Sequence, residues 1–232
     1  MSKISVIIPI YNEANTIANL IHYLAKSSSK ENIYEIIVVD GGSIDNSVEI
    51  VSEFKNTLLV HSEKGRAKQM NLGAKTATGN ILYFLHADCF PPTDFDKLII
   101  NEVENGNFSG CFCMKFDSNH WWLKLAGWFT KFSWPICRGG DQSLFITKKL
   151  FKDIDGYNER YVIYEDNIIM KKLYTLNQFI VIQNPIITSA RKYETYGVWK
   201  LQYHFFIIHL KHALGKSPDA LLAYYKKHIS VK

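Results

Sequence analysis

Residues Ile4 to Ile10 read ISVIIPI, a stretch that is almost continuously apolar and rich in β-branched side chains. Such a composition is typical of a strand that is buried on both faces in the centre of a parallel sheet. Further along, Ile17, Leu20 and Leu24 follow the i, i+3, i+7 spacing of one face of an amphipathic helix. This strand and helix predict the first step of an alternating α/β fold.

The alternation continues through the first 90 residues. Apolar runs predict three further strands, over 34–39, 57–60 and 80–85. Two helices are predicted between them, around 45–54 with Asp45 as the N-cap and over 66–75. Strands that alternate with helices at this pace form βαβ units with right-handed crossovers. This half therefore predicts an open, mostly parallel twisted sheet flanked by helices.

The second half is less regular. Strands are predicted over 108–116, 143–146 and 179–182, and helices over 119–132 and from Glu165 to Leu173. After Arg191 the chain is predicted to be helical to its end, with an interruption at 215–218. We find no internal repeat, low-complexity tract or long linker. Residues 1–232 are therefore expected to form a single domain with a C-terminal helical extension.

The composition is that of a folded domain. Hydrophobic residues make up 47% of the 232 residues, which argues against extended disorder. Lys and Arg number 27 against 22 Asp and Glu, a formal net charge of +5. This balance suits a partner that carries phosphate groups or an anionic membrane surface. It does not by itself distinguish these partners.

The cysteines and the apolar runs bear on location. No CxxC pair occurs among Cys89, Cys111, Cys113 and Cys137, and we expect buried thiols rather than a metal site. No apolar run reaches about 18 residues, so no membrane-spanning helix is expected. The N-terminus does not resemble a signal peptide. We therefore expect a cytoplasmic protein with free thiols.

Polar residues follow three of the predicted strands at their carboxyl ends. They are 11–13 after the first strand, Asp40 after the second and 86–88 after the strand at 80–85. Ligands of open α/β sheets bind outside these strand ends. A lone aspartate in such a position either shapes its turn or holds a ligand. Because Asp40 and Asp88 would lie on neighbouring strand ends, we favour a ligand site.

Two common nucleotide motifs are absent from the sequence. No GxGxxG opens the first helix and no GxxxxGK[ST] occurs, which argues against a nicotinamide-binding domain and a P-loop NTPase. Residues 64–68 read KGRAK at the start of a predicted helix. Three cations beside helix N–H groups can neutralise a diphosphate. The alternative is a solvated basic loop.

Four motifs together resemble the donor half of family 2 glycosyltransferases, whose fold is the nucleotide-diphospho-sugar transferase fold called GT-A. They are IIPIYNE at 7–13, DGGSID at 40–45, GRAKQMNLG at 65–73 and LHAD at 85–88. Segments 188–194 and 215–218 further resemble a small branch of arsenosugar-biosynthesis-type glycosyltransferases. The resemblance implies a nucleotide-binding half (1–90), an acceptor and catalytic half (91–193) and C-terminal helices (194–232).

The resemblance implies a donor site for a nucleotide-diphospho-sugar, with a UDP-sugar as the first expectation. Tyr11 would stack on the base, Asp40 would bond the base or ribose, and Arg66 would lie near the base and phosphates. The other donor-binding residues implied are Pro9, Asn12, Glu13, Gly41, Gln69, His86, Asp88 and Arg191. Arg191 and Lys192 would approach the diphosphate or, alternatively, pair with surface acids.

The resemblance also implies a divalent cation, Mg²⁺ or Mn²⁺. Many family members carry a pair of acids after the fourth strand, but His86 stands at the first of these positions. Asp88 is left as the one expected carboxylate ligand. Because Mg²⁺ can be held by one or two carboxylates together with substrate phosphates, the expectation of a metal stands.

The catalytic carboxylates are implied to lie in the second half. Inverting transfer needs a base that removes the proton of the acceptor hydroxyl. Asp166 resembles that base, with Glu165 as its orienting group or an acceptor contact, and Asp141 is the second candidate. A helix N-terminus stabilises a carboxylate anion and lowers its basicity unless burial offsets the effect. Ordinary helix capping is the alternative interpretation of 165–166.

Three features of the second half leave alternatives open. The aromatic residues of 121–134 can stack an acceptor sugar, touch lipid, or form core or a subunit interface. Residues 198–214 can lie on a membrane surface or pack on the catalytic domain. His204, His209 and His212 lack the companion ligands of a zinc site. A peripheral contact with the inner face of a membrane, through the C-terminal helices, is therefore an expectation.

The combined prediction is an inverting, metal-dependent glycosyltransferase that acts on an unknown hydroxyl acceptor and does not bind nucleic acid. A nucleotidyltransferase of similar fold is the first alternative, although such enzymes usually carry a glycine-rich basic signature at the first turn. A non-catalytic protein that binds nucleotide-sugars or a membrane surface is the second.

Overall fold

The computed structural model describes residues 2–229. Within them eight strands form one sheet: β1 (Ile4–Ile10), β2 (Ile33–Asp40), β3 (Thr57–His61), β4 (Ile81–Phe84), β5 (Cys89–Phe90), β6 (Ser109–Phe116), β7 (Leu144–Thr147) and β8 (Ile180–Thr188). The α-helices are α1 (Ile17–Ser27), α2 (Ser47–Ser52), α3 (Arg66–Thr76), α4 (Phe95–Glu104), α5 (Trp121–Phe129), α6 (Lys148–Asp153), α7 (Glu165–Thr175), α8 (Arg191–Tyr196), α9 (Val198–Ala213) and α10 (Pro218–His228).

The strand order is β3-β2-β1-β4-β7-β6-β8-β5. The four strands from the first part of the chain, β1 to β4, run parallel to one another. Beyond them β7 is antiparallel to β4 and β6, whereas β6 and β8 are parallel. The carboxyl ends of β1, β2 and β4 therefore lie along one edge of the sheet. This arrangement confirms the predicted α/β sheet flanked by helices.

Side chains alternate along β1 because successive residues of a strand point to opposite faces. Val6 and Ile8 pack in one buried cluster with residues of α1 and α4. Ile7 points the other way, into a second cluster with residues of α3 and α7. The continuous apolar run of β1 thus supplies the centre of both hydrophobic layers, as predicted for a strand buried on both faces.

Several predicted elements have different limits in the structure. Asp45 does not cap α2: Asn46 holds the N-cap position, and the Asp45 carboxylate accepts hydrogen bonds from the backbone N–H groups of Ala14 and Ser47. The helix predicted over 119–132 ends at Phe129, because the hydroxyl of Thr130 turns back to bind the Gly127 carbonyl and accepts the Met114 N–H. The strand predicted over 179–182 continues to Thr188 past an irregularity in its pairing with β6.

Three short elements were not predicted, namely β5, α4 and α6. The residues of α4 follow two consecutive prolines, and its N-cap residue Asp94 has a positive φ of 59°. No strong sequence signal marks its start. The buried thiols agree with prediction, since Cys89, Cys111 and Cys113 are free and buried.

The C-terminal helices have a small core of their own. Leu201 and Ile208 of α9 pack on Leu221 of α10, together with aromatic residues of the segment before α7. Among residues 2–229 no helix combines the length and apolar character needed to cross a bilayer. The division into halves at 90 and 193 stays a prediction.

Gly73 sets how closely α3 approaches the sheet. A Cβ atom at this position would lie 2.4 Å from Cγ2 of Ile7 and 3.2 Å from Cγ2 of Val39. Because both neighbours are branched residues of central strands, Gly73→Ala is expected to lower the free energy of unfolding by about 1–3 kcal/mol despite the better helix propensity of alanine. Urea unfolding measures this. Gly139→Ala is the control, since no atom lies within 4 Å of its added Cβ. Equal stabilities of the two variants would contradict the close packing.

Candidate functional site

Five predicted site residues from separate elements meet beside the carboxyl end of β4. His86 follows β4, Asp141 lies in a short 3-10 turn at 140–142, Arg66 begins α3, and Glu165 and Asp166 begin α7. Nδ1 of His86 lies 3.2 Å from Oδ1 of Asp141, and its Nε2 lies 3.8 Å from Oδ2 of Asp166. One imidazole ring therefore stands between two carboxylates.

Arg66 balances the charge of the two adjacent acids. Its Nη1 lies 2.9 Å from Oε1 of Glu165 and 3.9 Å from Oδ2 of Asp166. Glu165 is buried, and its second carboxylate oxygen has no hydrogen-bond partner among the residues described. The Arg66 side chain remains 41% exposed, so it pairs with the acids and also lines the cavity in front of them.

The surroundings drive the pKa values of Asp166 and Asp141 apart. Burial, followed by the negative charge of Glu165, raises the pKa of Asp166 to about 6 against the opposing charges of His86 and Arg66. The position of Asp141 inside the cavity would also raise its pKa, but the hydrogen bond and charge of His86, with Lys192 and Arg66, lower it to about 2. Near neutral pH Asp141 therefore holds a proton far less readily than Asp166 does.

Gly140 allows the 3-10 turn to approach this cluster. A Cβ atom here would lie 2.0 Å from Oδ2 of Asp166 and 2.6 Å from Cε1 of His86. Only a glycine leaves room for the backbone at this point, because both neighbours are themselves buried. In the Gly140-Asp141 motif, the glycine is therefore required for steric reasons, and the aspartate contributes the charge.

Tyr164 positions the start of α7 and was not among the predicted site residues. It has a left-handed backbone with φ 72°, which is a strained conformation for an aromatic residue. Its hydroxyl lies 2.7 Å from Nδ1 of His209, and its ring packs 4.6 Å from the ring of His212. Both histidines belong to α9, so the C-terminal helices hold the residue that immediately precedes Glu165.

Arg138 is a second residue that sequence reasoning missed. It is buried, and its guanidinium donates hydrogen bonds to the carbonyls of Thr130, Phe132 and Trp134 and to Oε1 of Gln142. The buried Arg138 guanidinium therefore holds together the segment 130–142, which carries Asp141. In the sequence, the presence of a single arginine within the aromatic run 121–138 could have indicated that Arg138 is buried.

The predicted donor residues form two further groups at the strand ends. Nη2 of Arg191 lies 3.4 Å from both carboxylate oxygens of Glu13 and 3.6 Å from Oδ2 of Asp88. Nearby, Nζ of Lys64 lies 3.5 Å from the centre of the Tyr11 ring. Tyr11 is partly exposed, and a cation already covers one face of its ring. Arg191 thus pairs with two acids, which is the alternative given for it above, and its approach to a diphosphate stays a prediction.

Four other predicted donor residues are engaged within the protein. The Asp40 carboxylate is buried and accepts the N–H groups of Gly42 and Ser43; burial would raise its pKa, but these hydrogen bonds lower it. Nε2 of Gln69 donates to the carbonyls of Ile10 and Val39 and thus ties β1 to β2. The other two are Gly41 and Asn12. A Cβ atom added to Gly41 would lie 3.0 Å from the Gln69 side chain, and Oδ1 of Asn12 accepts a hydrogen bond from the Ile44 N–H.

Pro9 lies inside β1 and is buried, paired in register with Val39. Its side chain faces protein rather than an open cavity. The donor-binding roles of this proline and of the four engaged residues stay predictions, and the observed contacts explain these residues as parts of the turns and strand ends.

The chemistry of the donor atoms near β4 fits a divalent ion. His86, Cys89 and Asp141 each offer one ligand atom, and these atoms lie within 4.8 Å of one another. Burial, followed by the charges of Asp141 and Asp88, raises the pKa of the Cys89 thiol well above its ordinary value. A thiol with a raised pKa stays protonated and is a poor ligand, so the group offers one imidazole and one carboxylate, whereas Mg²⁺ prefers oxygen ligands. Asp88 borders this group, with Oδ1 3.8 Å from Sγ of Cys89.

A large cavity opens in front of the carboxylates. Its volume is about 1550 Å³, and Arg66, His86, Asp141, Glu165 and Asp166 all line it. Tyr11 and Lys64 line the same cavity. The predicted catalytic residues and part of the predicted donor site therefore share one space.

Comparison with known proteins identifies the family. Residues 5–173, more than half of the chain, match the family model for glycosyl transferase family 2. The chain belongs to glycosyl transferase family 2. The match includes every predicted donor and catalytic residue except Arg191, which lies beyond it.

Individual relatives of this family 2 chain match over part of their length. The glycosyltransferase AglE of Haloferax volcanii is 35% identical over 94 residues, 38% of this chain and 31% of AglE. An undecaprenyl-phosphate 4-deoxy-4-formamido-L-arabinose transferase of Proteus mirabilis is 30% identical over 119 residues, 47% of this chain and 36% of that protein. The matched segment thus spans about a third of these curated relatives.

Solved structures confirm the GT-A fold. Residues 1–349 of TarS of Staphylococcus aureus, in complex with UDP, superpose with a TM-score of 0.69 at 24% identity, covering 86% of this chain and 64% of that chain. The complex with UDP-GlcNAc superposes with a TM-score of 0.64 at 22% identity, covering 81% and 58%.

Arg138→Met tests whether the hydrogen bonds of the buried guanidinium stabilise the 130–142 segment. The change leaves several buried carbonyl oxygens without a donor, and we expect a loss of about 3 kcal/mol in the free energy of unfolding, measured by urea denaturation. The matched control is Arg160→Met, since Arg160 is exposed. An Arg138→Met protein as stable as this control would show that the segment does not depend on the buried guanidinium.

Proposed function

We propose that this chain transfers a sugar from a nucleotide-diphospho-sugar to a hydroxyl acceptor with inversion at the anomeric carbon, and that Asp166 is the general base. The observation that carries the proposal is the position of Asp166, a buried carboxylate that lines the large cavity between Arg66 and His86. Its raised pKa is in keeping with proton transfer near neutral pH.

The reaction follows from these positions. Asp166 removes the proton of the acceptor hydroxyl as the oxygen attacks the anomeric carbon, and the bond from that carbon to the diphosphate oxygen breaks on the opposite face. Arg66 pairs with Glu165 at 2.9 Å and lies farther, at 3.9 Å, from Asp166, so Asp166 is the carboxylate of this pair that is left to take the proton. The departing diphosphate gains negative charge, which Lys64, Arg66 and Lys192 around the cavity would stabilise.

A divalent ion would be held by Asp88, as the family resemblance implies, or by the neighbouring group of His86, Cys89 and Asp141. When bound, it supplies positive charge for the leaving diphosphate. The expected ions remain Mg²⁺ and Mn²⁺.

The donor is proposed to be a UDP-sugar. TarS, whose fold this chain shares, has been crystallised with UDP and with UDP-GlcNAc. The arsenosugar-type branch and a cytoplasmic location also remain predictions. A nucleotidyltransferase and a non-catalytic binding protein are the alternatives, and neither makes use of a base with the surroundings of Asp166.

Asp166→Asn and Asp88→Asn separate catalysis from donor binding. We expect Asp166→Asn to lose sugar transfer by 10²-fold or more, on the order of the contribution of a general base, while its affinity for the UDP-sugar is kept. Asp88→Asn is expected to lose both transfer and the part of donor affinity that a divalent ion adds. Calorimetry with and without Mn²⁺, beside a product assay, measures both.

Asp155→Asn is the matched control, because Asp155 is exposed and its positive φ of 58° is one that asparagine adopts readily. Full activity of Asp166→Asn would overturn the assignment of the base. Donor binding without hydrolysis or transfer to any acceptor would favour the non-catalytic alternative. Consumption of a nucleoside triphosphate with release of pyrophosphate would favour the nucleotidyltransferase.

A further inference from the structure

The cavity is larger than a nucleotide-sugar needs. Its volume of about 1550 Å³ exceeds the roughly 300–1000 Å³ that is usual for a small-molecule pocket. The charged residues of the catalytic cluster account for only part of its wall. The rest of the cavity must receive something else, and the acceptor is the other reactant that has to reach Asp166.

The remaining wall is mostly apolar and comes from two parts of the chain. Met114 and Phe116 of β6 contribute to it, with Trp122, Ala126 and Phe129 of α5. The other part is α9, which contributes Trp199, Tyr203, Phe205, Phe206, Ile208 and Leu210 beside the polar Gln202 and His209. We call this remaining wall the apolar limb. A free sugar would leave these surfaces unmatched, because its hydroxyl groups would find few partners there.

The apolar surface continues from the limb onto the outside of the protein. Trp199, Tyr203, Phe206, Leu210 and Leu214 follow one face of α9, and Phe206 and Leu214 are 63% and 69% exposed. Trp199 packs 5.8 Å from Trp121, which begins a similar exposed face on α5. We call the α9 residues the α9 stripe. A continuous exposed apolar surface of this kind marks an interaction site rather than ordinary surface.

The two stretches of chain that carry this surface hold charges of one sign. Residues 195–218 contain no Asp or Glu but include Lys200, Lys211 and Lys216. Residues 118–140 also lack Asp and Glu and include Lys124 and Lys131. Exposed aromatic side chains among lysines, without acids, complement a surface of anionic lipid headgroups.

We propose that the acceptor is an amphipathic lipid, whose apolar chain lies in the apolar limb and whose polar end lies at Asp166. The α9 stripe rests on the anionic membrane that holds this lipid. The proposal depends on the proposed glycosyltransferase function, since it names the acceptor class of the same site. It explains why one cavity joins a charged catalytic end to an apolar wall that leads to an exposed stripe.

The chain-length dependence of binding tests the acceptor class on the unmodified protein. The probes are hexadecyl phosphate, below its micelle-forming concentration, and butyl phosphate, which share a headgroup. Each buried CH₂ contributes about 0.8 kcal/mol, so calorimetry should show hexadecyl phosphate binding at least tenfold tighter. Ala126→Trp, which would fill the limb, should remove this preference while butyl phosphate binds as before. Equal affinity of the two probes for the unmodified protein would overturn the proposal, whatever the variant does.

Vesicle sedimentation tests the membrane as the source of the lipid. The protein should sediment with phosphatidylcholine vesicles that contain phosphatidylglycerol and much less with pure phosphatidylcholine. The double variant Phe206→Ser, Leu214→Ser should lose most of this binding, whereas Tyr34→Ser, an equally exposed aromatic residue on β2, should keep it. Tight hexadecyl phosphate binding without sedimentation would overturn the membrane part and indicate a freely dissolved amphiphile.

A final measurement separates this inference from the proposed function. Binding of UDP-sugars, and slow hydrolysis of the donor without acceptor, report on the donor site alone. If both occur and no chain-length preference is found, the acceptor class is wrong and the glycosyltransferase function stands. If neither a UDP-sugar nor another nucleotide-sugar binds, the proposed function itself fails.

Discussion

Two adjacent carboxylates, Glu165 and Asp166, are buried side by side. The rest of the site offsets the free-energy cost of burying their charges. Buried charges are stable only when they are paired and hydrogen-bonded. Arg66 reaches across from α3 to pair with Glu165, and the ring of His86 approaches Asp166. The pairing is incomplete, because one Glu165 oxygen has no partner among the residues described. Burial, followed by the negative charge of Glu165 beside it, leaves Asp166 with a raised pKa.

The sequence was sufficient to predict the first half of the fold and the members of the charged cluster. Continuous apolar runs predict the strands β1 to β4. Motifs at strand and helix ends select Arg66, His86, Asp141 and Asp166 as site residues. The geometry among them could not be predicted, because it depends on contacts between elements distant in the chain. The placement of His86 between two acids is a product of the turn that Gly140 permits.

Tyr164 and Arg138 illustrate what pattern reasoning misses. Nothing in the local sequence distinguishes a strained tyrosine from a core tyrosine, and an arginine within an aromatic run is only a weak sign of burial, because both properties arise from tertiary contacts. Conversely, Asp40 and Gln69 have motif positions that point to a ligand, while their observed contacts lie within the protein. A residue in a motif can thus be required for the local fold, whether or not its side chain touches substrate.

The hydrogen bond between Tyr164 and His209 links a region inside the family match to one beyond it. The match ends at residue 173, whereas His209 belongs to α9. A helix outside the matched range thus holds the backbone from which the proposed base projects. Exchanging the C-terminal helices for other helices would replace the proposed acceptor wall and would also remove this support of the proposed base. A change in α9 is therefore expected to alter acceptor binding and proton transfer together.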